Sequence, residues 1–359
     1  MSIMFEQTAI GSMVLSNRFV RSATWEGMAA DDGSVTPKLI DTMVELAGGG
    51  VGLIITSHSY VRPEGKAGPF QLGVYKDELI PGLREMTKAV HDYGAKIVMQ
   101  ISHAGRFAAK KLTGQTPLVV SEEPGKGYHE ITDRDICDLV IAFADGAGRA
   151  KAAGFDGVQI HSAHGYLLSQ FLSPVFNRRR DAYGGDIKNR SSVLVRVYQA
   201  VREAVGEDFP ILIKLNCSDF NESGLTCEES LQVGRILADE GLDAIELSGG
   251  LLIDKKLSPS RTGIKTEEDE AYFKEEARRF KNSISIPLIL VGGMRSFSIA
   301  QRLVEEGVTD YISMSRPLIR EPNLIDRWKS GDRRKAECIS DNSCFIAAAS
   351  GNGVSCKIK

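Results

Sequence analysis

No apolar run in this sequence is long enough to cross a bilayer, and no basic segment followed by an apolar one marks a secretory leader at its start. Neither sign of charge dominates: 44 Lys and Arg face 47 Asp and Glu, a formal net charge of −3. That balance argues against nucleic acid or an anionic membrane as a partner, because both select a basic surface. Cysteine is sparse, at six residues. In the cytoplasmic setting expected of such a chain, these read as free thiols. Low-complexity segments and linkers are missing, so nothing divides the chain by composition.

What is present is an ordinary globular composition, 42% hydrophobic and 25% charged over 359 residues. The length exceeds the common single domain but suits a (β/α)8 barrel with insertions. Turn signals at Gly11-Ser12 predict a hairpin over 4–16 that caps one end of the core. Eight short apolar strands then follow, at 19–24, 51–56, 95–101, 157–161, 211–216, 244–248, 287–291 and 311–315. Helical spacing fills the intervals, with predicted helices at 36–47, 77–93, 132–150, 190–205, 227–240, 268–282 and 298–306. The alternation predicts a single α/β TIM barrel over 1–330, with a short cysteine-containing tail over 331–359. A doubly wound sheet is the weaker reading, since Thr24-Trp-Glu-Gly27 after the first strand is not a glycine-rich phosphate turn. The stretch 103–130 has no period and reads as a long excursion serving the site.

The polar residues that matter fall at the carboxyl ends of strands, where barrels place their chemistry. His161 ends the fourth strand, and His164 and Tyr166 follow close behind. A histidine pair three apart holds one oxygen between two N–H donors, or ligates a metal; a single one would read as core. Gly292-Gly293 after the seventh strand and Ser315-Arg316 after the eighth form either a phosphate site or two tight turns with a surface arginine. Lys214 interrupts the apolar fifth strand, so it enters the barrel mouth or snorkels at the strand end. Gln100 ends the third strand with an amide suited to a ring that carries N–H and C=O groups. Lys255, Lys256, Arg261 and Lys265 lie in a charged loop that reads as solvated surface.

Several motifs together resemble the old yellow enzyme family of FMN-dependent ene-reductases, nearly end to end. They are Asn17-Arg18, Gln100-Ile-Ser-His-Ala-Gly-Arg106, His161-Ser-Ala-His164-Gly-Tyr-Leu-Leu, Phe171-Leu-Ser-Pro174, Tyr183-Gly-Gly185, Asn189-Arg190, Val291-Gly-Gly293 and Ser315-Arg-Pro317. The tail cysteines make the chain most similar to the flavin barrel of bacterial 2,4-dienoyl-CoA reductase and its single-domain relatives. The resemblance implies FMN as cofactor and NAD(P)H as electron donor. Ala23, Thr24, His58, Gln100 and Lys214 would line the flavin, and Gly292, Gly293, Ser315 and Arg316 would hold its phosphate. His161 and His164 would bind the substrate oxygen, Tyr166 would be the proton donor, and Trp25 would touch the substrate with unusual bulk. The implied substrate is a small electrophilic alkene, a C=C conjugated to a carbonyl. The alternatives are an amine dehydrogenase of the trimethylamine type, which carries tyrosine in place of His161, and a non-catalytic FMN-binding barrel. A homo-oligomer is compatible with the sequence.

The same resemblance bears on the tail. Cys338, Cys344 and Cys356 look like a [4Fe–4S] segment in which Asp341 replaces the second cysteine. A carboxylate is a harder ligand than a thiolate, so the expectation is no stable cluster and direct reduction of FMN by NAD(P)H. An Asp341-ligated cluster is the alternative.

Overall fold

A computed structural model describes residues 2–358. Eight parallel strands form the barrel: β1 Phe19–Arg21, β2 Leu53–Ile55, β3 Lys96–Ser102, β4 Gly157–Ser162, β5 Ile211–Asn216, β6 Ala244–Ser248, β7 Leu288–Val291 and β8 Tyr311–Met314. Each pairs with its sequence neighbours, and β8 closes onto β1 (Ser313 opposite Val20). Helices cover the outside: α1 Pro37–Gly48, α2 Ile80–His91, α3 Asp133–Ala152, α4 Ile187–Val205, α5 Cys227–Asp239, α6 Lys274–Lys281, α7 Phe297–Glu305 and α8 Leu324–Lys329.

Local chemistry explains the boundaries. Thr36 caps α1 ahead of Pro37, which sits where its missing N–H costs nothing. Reciprocal capping boxes start α3 (Thr132 with Asp135) and α5 (Thr226 with Glu229). The predicted helix 268–282 begins six residues late, at Lys274. The buried Glu270 is engaged elsewhere: its carboxylate accepts the Arg295 N–H (2.7 Å), the Ser296 N–H (2.8 Å) and the Ser296 hydroxyl (2.7 Å) at the start of α7. Ala271 then turns through φ +50°, which no helix accommodates.

The hairpin forms as expected, Thr8–Ile10 against Met13–Leu15. Ile10, Met13 and Leu15 pack on Val20, Leu53, Val98, Leu212 and Ile289, plugging the barrel at the amino ends of its strands. Burying each such aliphatic side chain contributes roughly 1.5–3 kcal/mol. The opposite mouth is thereby the one left open to a ligand. The excursion 103–130 carries short structure of its own, with Leu118–Val119 paired in parallel to His129–Glu130. The tail folds back over this mouth: Cys344, Ala348 and Val354 are buried against Trp25, Met28 and Ile319. Among the described residues no helix is long and apolar enough to cross a membrane.

Candidate active site

The mouth holds a cavity of about 210 Å³. Ala23, Thr24, Trp25, His164, Lys214, Gly292, Gly293, Ser315 and Arg316, all candidates from the sequence, line it. His161, Tyr166 and His58 adjoin it through His164, whereas Gln100 is joined to it by way of Gln159, Glu246 and Lys214. The His161 ring lies 5.4 Å from that of His164 and 4.5 Å from that of Tyr166, and His58 lies 5.3 Å from Tyr166. The backbone creates this cluster. β4 ends at Ser162, and His164 (φ +65°) and Gly165 (φ +85°) then turn left-handed, so that Tyr166 returns beside His161 as the cap of helix Leu167–Leu172. A Cβ at Gly165 would also press on Phe107 at 3.1 Å and Phe176 at 3.3 Å, so the left-handed backbone and the close rings both favour glycine.

Burial sets the protonation of the cluster. It holds both His161 and His164 well below the ordinary imidazole value, with Lys214 adding to the effect, and it pulls His58 down to about 4. The same burial raises the Tyr166 phenol, which stays protonated near neutrality. His164 Nε2 lies 2.7 Å from Ser248 Oγ, whereas the buried His161 Nδ1 has no partner among the described residues. Two neutral imidazoles and a phenol therefore face one another with hydrogen-bonding capacity to spare.

Lys214 does not snorkel. Its ammonium is buried, 2.8 Å from Glu246 on the adjacent β6, and donates to Ser22 Oγ at 2.9 Å. Burial lowers the lysine, while Glu246, although burial opposes its charge, is held below the ordinary carboxylate value by Lys214 and by hydrogen bonds from Ser22 and Gln159. Gln100 Nε2 donates to Gln159 Oε1 at 2.7 Å. Sequence reasoning missed Glu246, Ser22, Gln159 and Ser248. Glu246 left a signal: like Lys214 it is a lone charge inside an apolar strand, and the two are direct register partners.

At the other end of the cavity, Gly292 (φ +131°) and Gly293 (φ +70°) take backbone angles open to glycine, and a Cβ on either would come within 2.9 Å of the Tyr272 ring. Arg316 Nη1 donates to Arg261 O and to Asn342 Oδ1 of the tail, both at 2.9 Å. Its Nε and Nη2 have no hydrogen-bond partner among the described residues. Ser315 Oγ lies 2.7 Å from Thr24 Oγ1. Trp25 presents an unpartnered buried Nε1, and its ring is housed against Gly68 and the tail, so its bulk is shared between site and scaffold.

These features fit FMN. A guanidinium with free donors beside two obligatory glycines suits a monophosphate, and the free Gln100 oxygen and the Lys214 ammonium suit a ring with alternating N–H and C=O groups. Other residues in and between these motifs prove to be braces. Asn177 Nδ2 donates to the Phe171 and Tyr183 carbonyls at 2.7 Å, Arg190 is bonded to Leu172 O and Glu229, and Asn17 ties β1 to Gly50. In the tail, Asp341 accepts from the Ser343 N–H and hydroxyl, and Cys344 faces its own apolar cluster. No three His, Cys, Asp or Glu among the described residues are grouped to hold a metal.

Comparison with known proteins agrees with this geometry. The sequence profile of the NADH:flavin oxidoreductase / NADH oxidase family matches residues 3–335. An NADH oxidase of Thermoanaerobacter brockii is 38% identical over 348 residues, covering 94% of this chain and 52% of that protein. The solved 2-naphthoyl-CoA reductase in complex with 2-naphthoyl-CoA superposes with a TM-score of 0.90 at 26% identity, over 99% of this chain and 56% of that one. Histamine dehydrogenase from Rhizobium sp. 4-9 superposes with a TM-score of 0.87 at 26% identity, over 99% and 52%. The chain thus spans about half the length of these relatives. It belongs to the NADH:flavin oxidoreductase / NADH oxidase family, FMN-dependent oxidoreductases built on this barrel.

Proposed function

We propose that this chain is an ene-reductase, using NAD(P)H to reduce a C=C conjugated to a carbonyl in an enone, enoate or enoyl thioester. The observation that carries the reading is the cluster of two neutral imidazoles and a protonated phenol at the cavity edge. Bound FMN supplies hydride exchange between the nicotinamide and the activated alkene. Gly292, Gly293, Ser315 and Arg316 would hold its phosphate, while Ala23, Thr24, His58, Gln100 and Lys214 would line its ring.

The remaining work falls to side chains of this chain. His161 and His164 donate N–H groups to the substrate carbonyl oxygen and stabilise the negative charge that builds there; removing one such donor typically costs about 10²–10³ in rate. Because they are neutral, they polarise the carbonyl without losing a proton to it. Tyr166 holds the proton that the α-carbon takes up, and Trp25 limits the size of what stacks in the cavity. The named relatives include an acyl-CoA reductase and an amine dehydrogenase. Paired oxygen-binding histidines support the carbonyl substrate over the amine.

The test separates the half-reactions. Tyr166→Phe should leave reduction by NAD(P)H within about threefold and slow reoxidation by an enone about 10²–10⁴-fold, the usual worth of a positioned acid. Equal losses in both half-reactions would remove Tyr166 from the role.

A further inference from the structure

Glu246 is wholly buried, and four donors from four other segments of the barrel converge on it. Lys214 (β5) and Gln159 (β4) approach Oε2 at 2.8 and 2.9 Å, and Ser22 (after β1) and Ser313 (β8) donate to Oε1 at 2.7 and 2.8 Å. That is more than pairing one lysine requires. We propose that Glu246 is a positioning residue that fixes the polarity of the site: acting through Gln159, it turns the Gln100 amide so that the carbonyl oxygen, and not the NH2, is offered to the cofactor ring.

The argument is one of donor and acceptor capacity. An ionised carboxylate can only accept, so Gln159 must present its NH2 to Glu246. The other end of that amide, Oε1, is then the only group Gln159 has to offer Gln100. Gln100 answers with its own NH2, at 2.7 Å. Its Oε1 is left over, and no described residue donates to it. The relay has no freedom to slip, because Gln100 and Gln159 are register partners across β3 and β4, and Lys214 and Glu246 are register partners across β5 and β6. A single negative charge two residues removed thereby decides whether the site shows an acceptor or a donor at Gln100. The adjoining Lys214 shows only donors. An acceptor beside a donor matches the pyrimidine edge of a flavin, which carries one N–H between two carbonyl groups.

The inference rests on the reading that the FMN ring binds at Gln100 and Lys214, and the test keeps the two apart. The full-length holoenzyme is reconstituted with ¹⁵N-enriched FMN, and exchange of the flavin N–H with solvent is measured by proton–nitrogen NMR. In the parent protein this proton should be protected. In Glu246→Gln, whose amide lets Gln159 reverse, and in Gln159→Met, which cuts the relay but leaves the Glu246–Lys214 pair, exchange should be at least about tenfold faster with flavin still bound. Equal protection in parent and variants, or no protection in the parent, would overturn the proposal. If Glu246→Gln does not fold, Gln159→Met decides alone. Failure of the parent to bind FMN at all would instead overturn the ring-site reading, and this inference with it.

Discussion

Arg316→Ala isolates the phosphate end of the site. Arg316 is 7% exposed, follows β8 directly, and keeps Nε and Nη2 free while Nη1 is tied to Arg261 O and Asn342 Oδ1. Those two bonds hold the guanidinium in place before any ligand arrives, so little side-chain entropy remains to be lost on binding. A charge-assisted pair to phosphate is worth about 1.5–3 kcal/mol, which converts to about 10–150-fold in FMN dissociation constant. Truncation also frees Asn342 from one of its two anchors, the other being its bond to Ser260 O at 2.8 Å. The tail should loosen, but β8 and its neighbours should not, since the barrel core lies below this residue. Flavin fluorescence titration of the stripped protein reads the affinity, and thermal unfolding of the same sample reads the scaffold. Arg316→Lys should recover only part of the affinity, because an ammonium cannot keep both the tail contacts and the free fork. An FMN dissociation constant within threefold of the parent, with the fold intact, would refute the assignment of the phosphate site.

Three other outcomes follow from the protonation state and the tail. Since His161 and His164 are held well below the ordinary imidazole value, enone reduction should stay flat from pH 8 to about 5.5; a sigmoidal loss centred near pH 6.5 would contradict neutral imidazoles. Burial, with Arg62 adding, depresses the 1%-exposed His103 to about 3, below its unfolded value near 6.5, so the unfolded chain takes up protons first and stability is lost as pH falls below 6.5. By pH 5 that loss is about 2 kcal/mol, and denaturant unfolding of His103→Gln beside the parent at pH 7 and 5 should show the pH dependence reduced in the variant. Iron and acid-labile sulfide after anaerobic purification should fall far short of one cluster per chain; near-stoichiometric iron that disappears in Asp341→Ala would reverse the expectation.

The barrel was legible because its strands are short, apolar and evenly spaced, and because buried parallel strands carry almost nothing else. Their polar exceptions were equally legible wherever one residue carried the meaning: Lys214, Gln100 and His161 stand out in a one-dimensional reading, and the structure brings Lys214 to the mouth, His161 to the cluster beside it and Gln100 to Gln159 in the relay below. What stayed hidden depends on pairs. Glu246 acquires its importance from lying opposite Lys214 in the neighbouring strand, and Gln159 from lying opposite Gln100. The start of the helix predicted from 268 was misplaced for the same reason, since Glu270 has helical neighbours in sequence but serves the start of α7 in space. The tail reaches the site through residues other than its cysteines: Ser340 and Phe345 line the cavity, and Asn342 bridges Arg316 to Ser260.

These pairings share a physical logic. A barrel mouth that binds a polar ring must bury donors and acceptors, and each costs roughly 1–3 kcal/mol if left unpaired. This chain meets that demand by linking them across strands, Gln100 to Gln159 to Glu246 to Lys214. Within that chain each link is paired, while other buried atoms, Trp25 Nε1 and His161 Nδ1 among them, stay without a partner among the described residues. Of the groups left without a partner among the described residues, Gln100 Oε1, His161 Nδ1 and the Arg316 fork would lie at the flavin ring, the substrate oxygen and the phosphate of the proposed reaction. Three such groups at three chemically distinct points of one ligand set add a physical argument for flavin chemistry to the motifs that first suggested it.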